Sequence, residues 1–462
     1  MVRFFQLSLL AVALCCSSCQ APASQEDVEE IIFENVNVIP MTSEEVLEGQ
    51  SVVIRDGKVH LIAPKEEVSK GSKTTVIDGT GKYLMPGIAE MHAHIPQPGP
   101  GPDRVKETLM LYLSNGITTI RGMLGHESHL KLRSDVLTGE VLGPTIFTSS
   151  PSMNGNSVPT KEMADSLVRA HKQAGYDFLK IHPGIKLDVF EVMIATANEV
   201  GIGFSGHVPY DVGIRRAIES QYGSVDHVDG FVEGLVPEGQ ELSAEGNGFF
   251  GFNSAQVADE SLIAELVQMT VDKKVWVVPT QSLFDRWASP VDPEILASQP
   301  EMKYMSKQTI ETWKNNKNRF LNSGDFSEEK YEVFINLRRK LIKALNDSGH
   351  GLVLGSDAPQ VFNVPGFSIQ HEMAGMINAG LTPYEVLKTG TINIARFFGK
   401  VGDFGQVTVG ASADLILLGN NPFEDITNMR RVEGVMVRGQ WLDSGFIEGE
   451  LKKIASKYVT TD

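Results

Sequence analysis

Six side chains with metal-binding chemistry lie at the ends of apolar, strand-like segments of this chain. The most compact segment runs from Leu84 to His94 and carries two imidazoles one residue apart, on one face of an extended strand. Two imidazoles so placed can bind one cation. An isolated His-x-His pair is weak evidence, but later apolar runs end in further candidate ligands. The six candidates are His92, His94, Lys180, His207, His227 and Asp357.

The elements that must position these residues alternate between strand-like and helix-like patterns. Lys180 and His207 lie 27 residues apart, close to the ~30 residues of one βα unit in an eight-unit barrel. Each candidate ligand lies at the end of its apolar run, where barrel enzymes place their active sites. We therefore predict an α/β fold with a (β/α)8 TIM-like barrel over residues 84–400. The eight strands are predicted near Met91 and over 118–123, 145–148, 178–181, 203–206, 224–226, 275–279 and 352–355.

Short alternating β segments flank this region at both ends. Residues 31–83 contain Asp56-Gly57 between two apolar runs, which predicts a hairpin. The same pattern of short alternating strands returns over residues 401–462. We expect the two ends to form one small β-sandwich, followed by a helix over 446–458. Residues 228–274 and 281–350 are predicted to be insertions over the barrel mouth. Four aromatic residues of the second insertion could line a pocket, but packing of its helices is favoured: Trp287, Trp313, Phe320 and Tyr331.

Charge and composition narrow the classes of partner. The chain has 462 residues and a formal net charge of −17, which argues against an electrostatic grip on nucleic acid or on anionic lipid. We expect a small-molecule or dipeptide substrate. All three cysteines lie within the first 19 residues, so the rest of the chain has no disulfide and no thiolate metal ligand.

The first residues predict export. Arg3 precedes a short apolar run that falls below the ~20 residues of a membrane-spanning helix. Small residues before Cys19 resemble a bacterial lipobox, which predicts a lipoprotein signal over 1–19, lipidation of Cys19 and a polar tether over 20–30. The membrane would then be reached only through this lipid anchor. The resemblance implies a periplasmic or cell-surface protein, with Gln20 pointing to the outer membrane; an ordinary signal peptide cleaved nearby is the alternative.

Several of these motifs together resemble the amidohydrolase superfamily, over nearly all of residues 31–442. The approach to His92 resembles the first barrel strand of that superfamily, and Gly355-Ser356-Asp357-Ala358-Pro359 resembles its eighth. More narrowly, Gly380-Leu381-Thr382-Pro383 is similar to the imidazolonepropionase-like and prolidase-like branch. The resemblance implies a hydrolase of carbon–nitrogen bonds that depends on a divalent metal, which is zinc in many members of the superfamily. It does not fix the substrate.

Imidazole and carboxylate are ligands that zinc accepts, so His92, His94 and Asp357 could hold one ion while His207 and His227 hold a second. A buried lysine loses its proton readily and can react with carbon dioxide to give an anionic carbamate. The resemblance implies such a carbamate at Lys180, bridging two divalent ions. The alternative for Lys180 is an ordinary surface lysine.

The expected reaction is attack of a metal-activated hydroxide on an amide, cyclic amide or dipeptide bond. Asp357 would take the proton of the hydroxide and pass it to the departing nitrogen. His182, Tyr210 and His126 are weaker candidates for substrate contacts. Arg121 could bind a substrate carboxylate, but pairing with a core acid is favoured. His371 and Glu372, on a helix after the eighth strand, are expected to be structural.

Two other functions stay open from the sequence. The same hydroxide would also attack an ester or a lactone. A protein of another class, a catalytically silent barrel that binds a ligand at the cell surface, would need none of these metal ligands, and the presence of the full set argues against it.

Overall fold

The computed structural model describes residues 29–97, 99 and 103–459 of the chain. The predicted lipoprotein signal with Cys19, and most of the predicted tether, lie outside the described residues. Within the described part, no helix is both long and apolar enough to cross a lipid bilayer.

The described residues form fifteen strands and fourteen α-helices, in two sheets. The strands are β1 (Glu30–Val38), β2 (Leu47–Arg55), β3 (Lys58–Pro64), β4 (Thr74–Asp78), β5 (Tyr83–Pro86), β6 (Ile88–Ala93), β7 (Ile117–Gly122), β8 (Thr145–Met153), β9 (Phe178–Ile181), β10 (Gly203–Gly206), β11 (Ser224–Asp226), β12 (Trp276–Val278), β13 (Leu415–Leu418), β14 (Val432–Val437) and β15 (Gln440–Asp443). The helices are α1 (Asp103–Ser114), α2 (Glu127–Leu137), α3 (Lys161–Ala174), α4 (Leu187–Val200), α5 (Gly213–Glu219), α6 (Ile263–Asp272), α7 (Gln281–Trp287), α8 (Pro293–Ala297), α9 (Lys307–Leu321), α10 (Glu328–Asp347), α11 (Ser368–Asn378), α12 (Pro383–Gly390), α13 (Ile392–Phe397) and α14 (Ser444–Val459).

One sheet is built from both ends of the chain, as predicted. Its order is β15-β14-β13-β5-β1-β2-β3, with β4 added beside β1. The predicted hairpin joins β2 to β3, and Asp56 (φ 48°) and Gly57 (φ 69°) both adopt the left-handed backbone that a two-residue hairpin turn requires. The sheet curls so that the amide of Val59 donates to the carbonyl oxygen of Ala411 at 2.9 Å, just ahead of β13. Apolar side chains from both ends of the chain, including Phe33 and Leu415, fill its interior.

The second sheet is the predicted parallel barrel. Strands β6 to β12 pair in sequence order, and helices α1 to α6 alternate with them along the chain. The eighth position is filled by residues 351–357, which close the barrel through backbone hydrogen bonds rather than as a regular strand. Met91 N donates to Leu354 O at 2.8 Å on one side, and Val353 N donates to Val277 O at 3.0 Å on the other.

A buried carboxylate explains why this eighth segment is irregular. The backbone amides of His92 and Ser356 donate to Glu90 Oε1 at 2.9 Å and 2.8 Å, so they are not available to neighbouring strands. Glu90 has no exposed surface, and burial raises its pKa to about 8. The carboxyl group of Glu90 therefore organises the backbone beside the first predicted ligands.

The two long insertions contribute short 3-10 turns over residues 233–262 and helices α7 to α10. Trp313 and Tyr331 are 6% and 7% exposed, which confirms the predicted packing role for these two aromatic residues. Trp287 and Phe320 instead lie along a cavity of about 260 Å³ that Phe249 also lines.

Candidate metal centre

The barrel brings all six predicted ligands to one end of its strands. His92 and Lys180 lie within β6 and β9, while His94, His207 and His227 directly follow β6, β10 and β11. The His92 and His227 rings are 4.5 Å apart between centroids, and those of His207 and His227 are 4.6 Å apart. Asp357 ends the eighth segment beside them. Residues separated by up to 265 positions therefore converge on one buried cluster, as their placement at strand ends predicted.

His92, His94 and Asp357 form the tightest part of the cluster. One ligand atom from each of the three lies within 4.8 Å of the others. Asp357 Oδ1 is 2.7 Å from His94 Nε2 and 3.4 Å from His92 Nε2. Burial lowers the pKa of His92 to about 4, which leaves the imidazole neutral with a lone pair to donate. Two imidazoles and one carboxylate fit a divalent ion such as zinc.

His207 and His227 form the other part, and each is held by a hydrogen bond from outside the cluster. His207 Nδ1 donates to Asp229 Oδ2 at 3.0 Å. His227 Nδ1 is hydrogen-bonded to the hydroxyl of Thr280 at 2.9 Å. Because a carboxylate engages Nδ1 of His207, its Nε2 is the nitrogen left to bind a metal, the arrangement common for histidine ligands. His227 Nδ1 also lies 3.9 Å from Asp357 Oδ2, which joins this part of the cluster to the first.

Lys180 has no exposed surface. Its Nζ is 3.3 Å from Asp226 Oδ2, and the same oxygen is 3.1 Å from His92 Nδ1. Burial lowers the pKa of Lys180, although the Asp226 carboxylate opposes this effect. The alternative of a surface lysine is therefore wrong, and burial favours the uncharged form of the amine.

Asp226 is a buried acid that was not predicted to belong to the site. Arg121 lies 3.1 Å from its Oδ1 and is itself fully buried. This contact confirms that Arg121 pairs with a core acid rather than with a substrate carboxylate. The only sequence signal was the position of Asp226 directly before His227, at the end of a strand-like run.

The three weaker candidates separate into two groups. His182 stacks 5.0 Å from His207 between ring centroids, and its Nδ1 is 2.6 Å from the hydroxyl of Ser152. Tyr210 lines the same cavity as His207, with its hydroxyl hydrogen-bonded to the carbonyl oxygen of Leu242. His126 instead accepts a hydrogen bond from Ser128 N at 3.2 Å and caps α2. His126 is thus given a local structural contact, whereas His182 and Tyr210 lie beside the ligands.

A cavity of about 600 Å³ adjoins the cluster at His207. Phe250 lines it and also covers the ligands, since its ring centroid is 5.4 Å from that of His227 and 5.8 Å from that of His207. Phe250 adopts a left-handed backbone (φ 51°) between Gly248 and Gly251, which have φ of 76° and 78°. Sequence reasoning missed this residue, although the paired glycines were a signal for an unusual turn.

The structural expectation for the helix after the eighth segment is confirmed. His371 Nε2 is 2.8 Å from Glu301 Oε1, within the packing of α11 against the second insertion. Glu372 is fully buried and accepts hydrogen bonds from the amides of Gln281 and Ser282.

Comparison with known proteins places this geometry in a family. The amidohydrolase family model matches residues 83–442, which is most of the chain. The chain belongs to the amidohydrolase family. This membership confirms the predicted superfamily and supports, in general terms, metal-dependent hydrolysis of carbon–nitrogen bonds. The His-His-Asp group at the barrel mouth fits the divalent metal that the family implies.

Individual relatives of this amidohydrolase are distant. An adenine deaminase of Ruegeria sp. (strain TM1040) is 28% identical over 130 residues, which are 27% of this chain and 21% of that protein. The chain thus matches about a fifth of the length of that relative. Among solved structures, bottromycin amidohydrolase has a TM-score of 0.71 at 21% identity, covering 92% of this chain and 90% of that one. A Xaa-Pro dipeptidase with bound methionine has a TM-score of 0.63 at 17% identity, covering 90% and 100%. These two likenesses show the shared fold.

Proposed function

We propose that this amidohydrolase hydrolyses a carbon–nitrogen bond in a small substrate, either a dipeptide or a cyclic amide. The observation that carries the proposal is the convergence of five histidine and aspartate ligands and a buried lysine at the barrel mouth of an amidohydrolase-family chain. Its place in the imidazolonepropionase-like and prolidase-like branch is part of the proposal, and the fold likeness to a Xaa-Pro dipeptidase supports testing dipeptides first.

The ligands would divide between two divalent ions. His92, His94 and Asp357 would hold one ion, and His207 and His227 the other, with a carbamate on Lys180 joining them. Zinc suits a site made of nitrogen and oxygen ligands. When bound, the ions supply an acidified water and a polarising charge for the substrate carbonyl.

Asp357 is the proton carrier of the reaction. Burial alone would raise its pKa, but the neighbouring His92 and His94 outweigh burial and hold the pKa below its ordinary value. Oδ1 faces His92 and His94, and Oδ2, which is 3.9 Å from His227 Nδ1, would accept the proton from the attacking water. Asp357 then returns that proton to the departing nitrogen as the C–N bond breaks, so the carboxylate is regenerated.

The chain also holds and orients the substrate. The cavity beside His207, at about 600 Å³, is large enough for a dipeptide or a small cyclic amide. Phe250 would exclude water from the reacting carbonyl, and His182 and Tyr210 are placed to contact the substrate. An ester or lactone would react by the same steps, with oxygen as the leaving atom.

We further propose that the protein is exported and anchored to the bacterial outer membrane through lipid on Cys19. The apolar run after Arg3 and the small residues before Cys19 support this proposal. Radiolabelled palmitate should be incorporated into the expressed protein and lost in Cys19→Ala. Export without lipid would instead favour the ordinary signal peptide.

A substrate screen tests the enzymatic proposal. Protein expressed with added zinc or manganese is assayed on Xaa-Pro and other dipeptides, N-acyl amino acids, cyclic amides and lactones. We expect activity on one of the amide classes, lowered by about 10²–10⁴-fold in Asp357→Asn. Activity that this substitution leaves unchanged would contradict the role of Asp357. A protein that binds no metal after metal-replete expression would favour the catalytically silent ligand-binding lipoprotein.

A further inference from the structure

The backbone that carries His227 is unusual. His227 and Val228 have φ of 66° and 56°, and Thr280, at the start of α7, has φ of 45°. None of the three is glycine, and residues with a Cβ avoid this left-handed region unless their surroundings hold them there. Two neighbouring strand ends, after β11 and after β12, are therefore kept in an unfavourable conformation beside the metal ligands.

A buried arginine of the second insertion holds these two strand ends together. Arg338, on α10, has no exposed surface. Its Nη1 donates to His227 O at 2.6 Å, and its Nη2 donates to Pro279 O at 2.9 Å. Its Nε donates to the side chain of Gln281 at 3.1 Å, and its guanidinium lies 3.6 Å from the Phe284 ring centroid. The three acceptors are neutral, and two are backbone carbonyls of the loops at the site.

Thr280 reaches the imidazole itself. Its hydroxyl is 2.9 Å from His227 Nδ1. As the N-cap residue of α7 it would ordinarily bond the first amides of that helix, but it makes no such bond. Those amides are satisfied by Glu372, which accepts from Gln281 N at 2.9 Å and from Ser282 N at 2.7 Å. Because Glu372 accepts these hydrogen bonds, the Thr280 hydroxyl is available to His227.

We infer that Arg338 and Thr280 are positioning residues for the second metal ligand group: Arg338 fixes the backbone of His227, and Thr280 fixes the orientation of its ring. This inference deepens the proposed function and rests on it. The long insertion between β12 and the eighth segment then serves the metal centre directly, because α10 supplies the guanidinium that ties two strand ends.

The matched pair Thr280→Val and Thr280→Ser tests the contact to the ring. Valine keeps the shape and loses the hydroxyl, while serine keeps the hydroxyl. Arg338→Met and Arg338→Lys test the backbone contact in the same way. Lys317→Met is the control, since Lys317 is equally buried and its Nζ donates to the carbonyl oxygens of Arg286 and Ser289, both at 2.6 Å, away from the ligands.

Each full-length variant is stripped of metal, titrated with Co²⁺, and followed by its visible absorption spectrum and by its affinity for the second equivalent. We expect Thr280→Val and Arg338→Met to weaken that affinity by about 10–100-fold and to alter the spectrum. Thr280→Ser should restore both. Lys317→Met should lower the melting temperature and leave spectrum and affinity unchanged.

Three results separate the possible failures. Variants that bind Co²⁺ as the wild type does would overturn the inference and leave the proposed function intact. An equal change in Lys317→Met would assign Arg338 a merely structural role, and a normal Thr280→Val would do the same for Thr280. Wild-type protein that takes up no Co²⁺ would overturn the proposed function and the inference with it. Should Arg338→Met fail to fold, the threonine pair decides the outcome.

Discussion

The two groups of ligands in the candidate metal centre are held in different ways. His92, His94 and Asp357 touch one another directly, with 2.7 Å between His94 Nε2 and Asp357 Oδ1. His207 and His227 instead form hydrogen bonds with Asp229 and Thr280, which are not among the predicted ligands. In the first group, β6 sets the positions of the two histidines, whereas Asp357 ends the irregular eighth segment with a left-handed backbone (φ 62°). The second depends on residues of loops and insertions that lie far from it in the sequence.

Because the two groups are positioned in different ways, substitutions outside the ligands should not affect them equally. A pair of histidines on one strand is placed by the strand itself, because alternate side chains share a face. A histidine just beyond a short strand has no such constraint, and His227 even adopts a left-handed backbone. Its orientation must come from partners outside the ligand set. We therefore expect the second group to be the more sensitive to substitutions outside the ligands.

The largest effect should come from removing the proton carrier of the first group. Asp357→Asn keeps the size of the side chain and removes the base, so kcat should fall by about 10²–10⁴-fold with a small change in substrate affinity. Steady-state kinetics on the substrate found by the screen measure this. A large rise in KM with kcat intact would show that Asp357 binds substrate instead.

Breaking the link between the groups should come next. Lys180→Met keeps the buried chain and removes the amine that would carry the carbamate, so bound metal should fall from about two equivalents to about one. Metal reconstitution of the wild type in buffer free of carbon dioxide should likewise be slow and should quicken when bicarbonate is added. Full recovery without bicarbonate would contradict the carbamate.

A smaller, selective effect is expected at the outer partner of His207. Asp229→Asn removes the carboxylate that orients the imidazole, and should weaken binding of the second ion by about 10–100-fold while the first ion binds normally. Asp177→Asn is a control, because Asp177 accepts hydrogen bonds from Thr148 N and Arg133 outside the ligand cluster. Equal losses in both variants, measured by metal titration, would point to general destabilisation.

The smallest effect should follow from trimming the cover over the second group. Phe250→Leu leaves an apolar side chain but removes the ring edge that packs on His227. Phe250 also lines the cavity. Because an aromatic contact contributes about 0.5–1.5 kcal/mol beyond burial, loss of its contact with substrate should raise KM by about 2–12-fold, with metal content unchanged. Loss of bound metal would mean that Phe250 holds the ligands rather than the substrate.

The sequence predicted most of the barrel because its ligands and apolar runs repeat with a regular spacing. Seven strands lie where predicted, and the eighth segment follows the predicted path without regular strand pairing. Its irregularity could not be foreseen, since it depends on the buried Glu90 carboxylate taking two backbone amides. The contribution of both chain ends to one β unit was predicted from short segments of alternating apolar and polar residues and from the Asp56-Gly57 hairpin turn.

The site was predictable as far as its ligands and no further. Each ligand stands at the end of its own strand-like run, which is a local signal. The contacts of Thr280 with His227 and of Arg338 with the backbone of His227 join residues 53 and 111 positions apart. Nothing in either local pattern marks such a pairing. Asp226 and Phe250 were not predicted for a related reason, since burial and loop conformation, rather than residue type, bring them to the site.

Metal analysis of the purified chain and of two single variants tests the central claim most directly. The claim is that two groups of side chains at one barrel mouth form a two-metal hydrolytic centre. After metal-replete expression, the wild type should hold about two divalent ions per chain, and His92→Ala and His227→Ala about one each. Wild-type protein without bound metal, or variants that keep the full complement, would contradict it.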